Sequence, residues 1–332
     1  MIFQSGSNLS ESKDLIDQPC WILCDGKAGM MSQCVALAEM LKLKPEIKII
    51  DPRFPWSKLP PSFWLAPFAA VEVKSIGLCA PWPPILIASG RQTVALALAI
   101  KRASEGKTKL IQIQNPRFGI SEFDAIVAPM HDNLHGNNVI STIGSVHGIT
   151  QVKLRSAANK FRETYKTLPR PLIGILLGGP NKQYRMTSEQ GVRLGQLLVR
   201  GVKRSGAGLA ITPSRRTHKD LISALTCSLK EVHFRNWDGK GDNPYLGILA
   251  LCDSFVVTGD SVNMISEAAA TGKPVHVFEL DGGSPKFDRF HHQMRKAGIT
   301  RPFMGKFEDW EYSSPNDPNN IVQQVKLRIN LD

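Results

Sequence analysis

Residues 254–280, SFVVTGDSVNMISEAAATGKPVHVFEL, decide the fold. An apolar, β-branched run ends at Gly259, an amphipathic stretch follows, and Gly272-Lys273-Pro274 leads into a second apolar run. The pattern predicts a strand, a helix and a strand. Gly259 lets backbone approach a ligand, and Asp260 or Ser261 can cap the helix by accepting from its first N–H groups. The remaining N–H groups and the positive helix end form an anion site. On helical spacing Val262, Ile265 and Ala269 share the buried side, Asn263 and Glu267 share the opposite side, and Ser266 lies at its margin. A carboxylate at Glu267 can accept from both hydroxyls of a ribose while the helix end holds a diphosphate. The same spacing also fits an N-capped helix with an exposed Glu.

The rhythm extends in both directions. Apolar runs recur at WILC, EIKII, ILIAS, KLIQIQ, FDAIVAP and NVIST, with amphipathic segments over 31–42 and 91–104. A helix over 151–166 meets the breaker KTLPRPL, and the rhythm restarts. LIGILLGG, a helix over 187–205, GLAITPS, a helix over 216–229, EVHFRNW and a helix from Asn243-Pro244 lead to the opening stretch. Helices near 286–297 and 319–331 close the chain. Alternation of this kind predicts parallel sheets covered by helices. The expected architecture is α/β, with two doubly wound Rossmann-like domains facing a cleft. Residues 1–166 form the first domain and 167–310 the second, with 311–332 a tail packing back on the first. The 332-residue length suits two cores.

In such sheets ligands bind where strands turn into helices. Polar residues collect at those turns: DGKAG (25–29), SGRQT (89–93), QNPR (114–117), PMHD (129–132), GGPNK (178–182), SRRT (214–217) and TGDS (258–261). Lys182 and Asn181 can add charge and hydrogen bonds beside Gly178 and Gly179. Ser214, Arg215, Arg216 and Thr217 open a helix, and two guanidiniums there suit phosphate. His131 and Asp132 make a dyad only if a turn redirects two neighbours that would otherwise face opposite ways.

Composition narrows the function. A net charge of +12 suits anionic partners, yet no long basic block is present. That favours an anion pocket over sequence-specific nucleic-acid reading. The six cysteines have no zinc spacing, and most sit in apolar runs and read as buried thiols in a reducing compartment. The first eighteen residues lack the apolar core of a secretory signal, and no run reaches transmembrane length, so a cytoplasmic protein is expected. No D-x-D, no strand-following G-x-G-x-x-G and no Tyr with a Lys four residues on are found. Neither a metal nor NAD is expected. Residues 53–84 hold three of the six tryptophans among prolines and aliphatics. They read either as an insert covering the sheet edge or as a peripheral membrane or partner contact.

Gly259, Ser261, Glu267, Ala268, Gly272 and Pro274 meet a pattern that resembles the donor-nucleotide segment of GT-B glycosyltransferases and of the non-hydrolysing 2-epimerases on that fold. With DGKAGxxxQ, IASGRQT, IQIQNP, FDAIVAPMHD, SRRT, NPYLG and KFDRFH, the chain resembles the mitochondrial-fission "elongate mitochondria" family over about residues 20–312. Met31-Ser32 stands where relatives often carry Glu-Asn. The resemblance implies a nucleotide-sugar substrate held by Gly178, Gly179, Asn181, Lys182, Ser214, Arg215, Arg216, Thr217, Asn243, Tyr245, Gly259, Asp260, Ser261, Asn263 and Glu267. It places Asp25 as general base, His131 as second choice, and acceptor or cleft contacts at Gly26, Lys27, Gly29, Gln33, Ser89, Gly90, Arg91, Gln114, Asn115 and Lys286. The leading expectation is a metal-independent glycosyltransferase acting on a lipid-linked, membrane-proximal or cell-envelope acceptor. A 2-epimerase and a non-catalytic scaffold recruiting a partner protein stand beside it.

Overall fold

The computed structural model describes residues 18–330. In chain order the elements are β1 (Pro19–Cys24), α1 (Ala28–Met40), β2 (Lys44–Ile49), β3 (Ile85–Ser89), α2 (Val94–Ala103), β4 (Lys109–Ile113), β5 (Ala125–Pro129), β6 (Val139–Thr142) and α3 (Gln151–Tyr165). There follow β7 (Leu172–Leu177), α4 (Ser188–Ser205), β8 (Gly208–Pro213), α5 (Lys219–Ser228), β9 (Phe234–Asn236), α6 (Tyr245–Leu251) and β10 (Ser254–Thr258). The last are α7 (Val262–Ala269), β11 (Val275–Phe278), α8 (Pro285–Lys296), β12 (Thr300–Pro302) and α9 (Pro318–Ile329).

Two six-stranded sheets result, ordered β2-β1-β3-β4-β5-β6 and β12-β11-β10-β7-β8-β9. The pairings β1·β3, β3·β4, β7·β8, β7·β10 and β10·β11 are all parallel. Central strands β3, β7 and β10 are buried along their whole length, which is why they read as unbroken apolar runs. Local chemistry sets the helix ends. Thr187 and Gln190 form a reciprocal capping box at the start of α4, and the Thr150 side chain accepts from Lys153 N–H at the start of α3.

The chain divides into two units. The first takes in the stretch ending at Ala128, Leu134–Ile140 and the segment from Pro318; the second takes in Pro129–Asn133 and Ser141–Asp317. This corrects the sequence boundary at 166. Helix α3 belongs to the second unit, where Leu154 and Tyr165 join the core around Phe255, Ile248 and Ile265. The boundary at 310 also moves. Tyr312 donates its hydroxyl to the carbonyls of Ala269 and Lys273 at 3.0 and 2.7 Å, and Asn316 pairs with Ile143 backbone, so residues up to 317 stay with the second unit. Helix α9 belongs to the first unit, with Ile321, Val325 and Ile329 buried and Arg328 donating to Asn137 O at 3.1 Å.

Helix α6 packs on α3 at Gly247, where a Cβ would meet the Phe161 ring at 2.6 Å. Gly247→Ala gains about 1 kcal/mol of helix propensity but overpacks this contact at a cost of about 1–3 kcal/mol. The expected net result is a loss of up to about 2 kcal/mol, read as a lower denaturation midpoint at unchanged slope. A more stable variant would mean that Phe161 moves freely.

Residues 53–84 do two things at once. Trp64 is buried, and Trp56, Phe68 and Trp82 pack against the first unit's core, with Trp82 stacked on Phe68 and edge-on to Trp21. Phe54, Phe63 and Leu65 face outward, 78%, 69% and 100% exposed. Among the described residues no helix is long and apolar enough to cross a membrane.

Candidate functional site

In a doubly wound sheet the crevice opens where neighbouring strands send their connections in opposite directions. In the second unit those neighbours are β7, which leads to β8 and β9, and β10, which leads to β11 and β12. The loops there are Gly178-Gly179 and Gly259-Asp260-Ser261. In the first unit they are β1 and β3, with Asp25-Gly26-Lys27 and Ser89-Gly90-Arg91 at their ends. Each unit therefore has one switch point, and each is lined by residues expected from sequence.

At the second unit's switch point the chain ties its own loops together. Asp260 is 4% exposed. Its Oδ2 accepts from Gly179 N–H at 2.9 Å and its Oδ1 from the Thr258 hydroxyl at 2.7 Å, while Thr258 Oγ1 accepts from Gly178 N–H at 2.8 Å. Arg216 Nη2 lies 3.9 Å from Asp260 Oδ2. Burial raises the Asp260 carboxyl above the usual range, and hydrogen bonds from Thr258 and Gly179, then Arg216, pull it back. The sequence offered Asp260 or Ser261 as the cap of α7. Ser261 has that role, accepting from Met264 N–H at 3.4 Å, whereas Asp260 turns inward. The glycine pair is corrected too. Its N–H groups are occupied by Thr258 and Asp260 instead of facing a ligand.

The glycines are needed for space. A Cβ at Gly178 would fall 2.2 Å from Asp260 Oδ2, and one at Gly179 would fall 2.4 Å from Arg216 Cβ. The β8 loop closes over the same carbonyls. Ser214 Oγ donates to Gly178 O at 2.8 Å, Thr217 donates to Leu177 O at 3.1 Å and to Gly178 O, and Arg216 Nη1 donates to Pro180 O at 3.0 Å. Ser214 and Thr217 thus shape the loop. Asn181 does the same, its Oδ1 accepting from the N–H groups of Gln183 and Tyr184. Arg215 and Lys182 remain exposed on these loops.

Helix α7 buries Ile265, Ser266, Ala268 and Ala269. Ser266 is therefore not marginal: its Oγ accepts from Ser145 N–H at 3.0 Å and donates to Val262 O at 2.8 Å. Asn263 and Glu267 are partly buried on another side. Glu267 is not a solvated carboxylate, because the Tyr245 hydroxyl donates to its Oε2 at 2.5 Å. Burial raises the Glu267 carboxyl to about 7, and the bond from Tyr245 draws it down. Asn243 accepts from Tyr245 N–H at 3.0 Å and so shapes the start of α6.

In the first unit Asp25 is nearly buried, its side chain 7% exposed and ion-paired with Lys27. Gly90 takes φ +101°, a conformation L side chains rarely adopt, and a Cβ there would meet Met30 Sδ at 3.1 Å and Asp25 Cγ at 3.6 Å. Asp25 and Gly90 are thus neighbours, as the switch point requires. Gly26 lies beside Ile49, Gly29 in the first turn of α1, and Gln33 and Ser89 in the buried interior, while Arg91 is exposed. Gln114 follows β4 at φ +68°, and Asn115 Oδ1 accepts from Arg117 N–H at 2.8 Å.

His131 and Lys286 fall elsewhere. Both belong to the second unit. A single helical turn at Met130–Asp132 does redirect His131 and Asp132, yet Nε2 stays 3.8 Å from Asp132 Oδ1, beyond hydrogen-bond reach. Lys286 pairs with Asp132 at 2.5 Å. His131 is 2% exposed, edge-on to Phe290 at 5.2 Å, and burial lowers its imidazole to about 4. It is a neutral packing residue in this structure, which corrects its place as second-choice base. Two residues the sequence did not single out hold the loops at the second unit's switch point: Thr258, and His291, whose Nε2–H donates to Gly259 O at 2.8 Å. Both sit inside quoted motifs, but only the fold shows their partners.

Two parallel six-stranded sheets with paired switch points define an α/β protein of the GT-B type, the fold class expected from sequence. Solved structures share the fold. MurG from Acinetobacter baumannii superposes with a TM-score of 0.53 over 94% of this chain and 91% of its own, at 11% identity. UDP-GlcNAc 2-epimerase from Neisseria meningitidis, solved bound to UDP-GlcNAc, gives 0.50 over 92% and 99%, at 12% identity. The chain belongs to the mitochondrial fission ELM1 family, whose pattern it matches over residues 28–329. Mitochondrial fission protein ELM1 of Arabidopsis thaliana is 32% identical over 277 residues, which cover 74% of this chain. The chain spans 64% of that plant protein's length.

Proposed function

We propose that the second unit binds a nucleoside diphosphate or its sugar conjugate at the β7/β10 switch point. The observation that carries this reading is Glu267. It projects from the helix that follows the switch point, half-buried, with Oε2 held by Tyr245, and a carboxylate so placed can accept from a ribose diol. The capped N-terminus of α7 and the Arg215 and Arg216 guanidiniums supply the positive field for the phosphates. A GT-B neighbour solved with UDP-GlcNAc supports this ligand class. The reaction we favour is metal-independent glycosyl transfer. A base takes the proton of an acceptor hydroxyl, that oxygen bonds the anomeric carbon, and the bond to the diphosphate breaks as the nucleotide leaves. Phe54, Phe63 and Leu65, flanked by Arg53 and Lys58, support an acceptor presented at a cytoplasmic membrane surface.

A second reading is a non-catalytic scaffold that recruits a partner protein. Its support is the Asp260 tie, which fills the glycine N–H groups with the chain's own carboxylate. Calorimetry with UDP, GDP, CMP and their sugar conjugates tests the binding site. One nucleotide class should bind, and Glu267→Ala should weaken it at least tenfold, about 1.4 kcal/mol, for the lost charge-assisted bonds. No binding at millimolar concentration would sink the enzyme reading. Nucleotide release only with an added acceptor identifies a transferase, and a changed sugar from the donor alone identifies a 2-epimerase.

A further inference from the structure

Glu267 has a polar neighbour in Tyr245. The Tyr245 hydroxyl reaches it from the first residue of α6, a position fixed in three ways. Asn243 Oδ1 holds the Tyr245 N–H, Pro244 just before it is buried, and Gly247 leaves no room for α6 to move toward Phe161. The phenol therefore arrives from a rigid base, whereas a glutamate side chain alone has several rotors to lose on binding. Burial, followed by the adjacent carboxylate, pushes the Tyr245 phenol well above its usual value, so it stays protonated and always donates.

We propose that Tyr245 is the positioning residue for Glu267: it anchors Oε2 and leaves Oε1 oriented to accept from the ribose hydroxyls of a bound nucleotide. The inference rests on the nucleotide reading above. It also changes the expected role of Tyr245, which contacts the carboxylate instead of the ligand. Burial and the Tyr245 hydroxyl are the two influences on the Glu267 carboxyl, and the second favours the ionised form. Removing the hydroxyl must raise the pH at which Glu267 ionises. A diol needs the ionised form, so binding follows that midpoint.

The experiment has two parts. The Glu267 carboxylate is titrated in the ligand-free protein from its infrared band, with Glu267→Gln as the blank, in wild type and in Tyr245→Phe. UDP binding is then measured across the same pH range. The midpoint should rise from about 7 by roughly one unit in Tyr245→Phe, and UDP affinity should fall about tenfold near neutrality and recover above the new midpoint. If the ring only fills space, affinity drops equally at every pH and the midpoint stays put; that result overturns the proposal. Should Tyr245→Phe not fold, 3-fluorotyrosine placed at position 245 is a stronger donor and must move the midpoint down. An unmoved midpoint there overturns the proposal as well. A shifted midpoint with no binding of UDP, GDP or CMP upholds the tie and removes the nucleotide reading instead, so the two failures are distinguishable.

Discussion

Gly178→Ala lowers the stability of the second unit by about 4 kcal/mol, the sum of overpacking and newly unsatisfied buried donors. The backbone at Gly178 tolerates alanine, since its φ is not in the left-handed region. Space is what fails. The new methyl falls 2.2 Å from Asp260 Oδ2 and 2.4 Å from Oδ1, and Asp260 is short, buried and bonded at both oxygens. Displacing it strands the Gly179 N–H, the Thr258 hydroxyl and the Arg216 charge together. Gly206→Ala is the natural comparison. Its φ is +69° with nothing within 4 Å of a Cβ, so the cost there is conformational alone, about 1 kcal/mol. Denaturant unfolding of the two variants separates the mechanisms. Equal, small losses would show that the Asp260 tie bears little of the unit's stability.

Glu267→Gln makes the second unit more stable at about pH 8, by about 2 kcal/mol, while changing little near pH 5. The folded carboxyl sits at about 7 against an ordinary value of 4.5. Between those values the folded unit keeps a proton that the unfolded chain has released, so stability falls as pH rises through the interval. Above about 7 the full deficit remains, about 3 kcal/mol for complete burial and about 2 after allowing for the partial solvent exposure of the Glu267 side chain. Glutamine keeps the shape and still accepts from Tyr245 but carries no charge. Wild-type and variant stabilities that run parallel from acid to mildly basic pH would contradict this. A carboxylate retained at such a cost is consistent with a role in binding, and the same variant should bind nucleotide more weakly.

The sequence revealed periodicity and turns better than partnerships. SFVVT, LIGILL and ILIAS read correctly as buried strands because a fully enclosed strand leaves no polar position to confuse the pattern. The turn residues at both switch points were legible because strand-to-helix turns collect glycines and caps. Helix α3 was assigned to the wrong unit for a simple reason. Its apolar stripe of Leu154, Ala157 and Tyr165 announces a buried face without naming the core it meets. Strand β12 is three residues with two of them exposed, so it leaves almost no signal. Asp260 and Ser261 are chemically equivalent caps on paper, and only the approach of Gly179, eighty-one positions away, separates their roles. His131 was ambiguous on its own, because the Phe290 and Arg289 contacts that bury it come from a distant helix.

The placement of α9 bears on how the chain is made. The first unit opens with β1 yet includes the segment from Pro318 onward, whereas the second unit uses one nearly continuous run between. On the ribosome the second unit has all its strands and helices before α9 emerges. The unit that begins synthesis first is therefore the last to be completed, the reverse of the usual N-terminal-first order. Until Ile321, Val325 and Ile329 arrive, the surface they will cover stays open to solvent and to chaperones. A nascent chain halted before residue 318 carries a finished second unit and an unfinished first one.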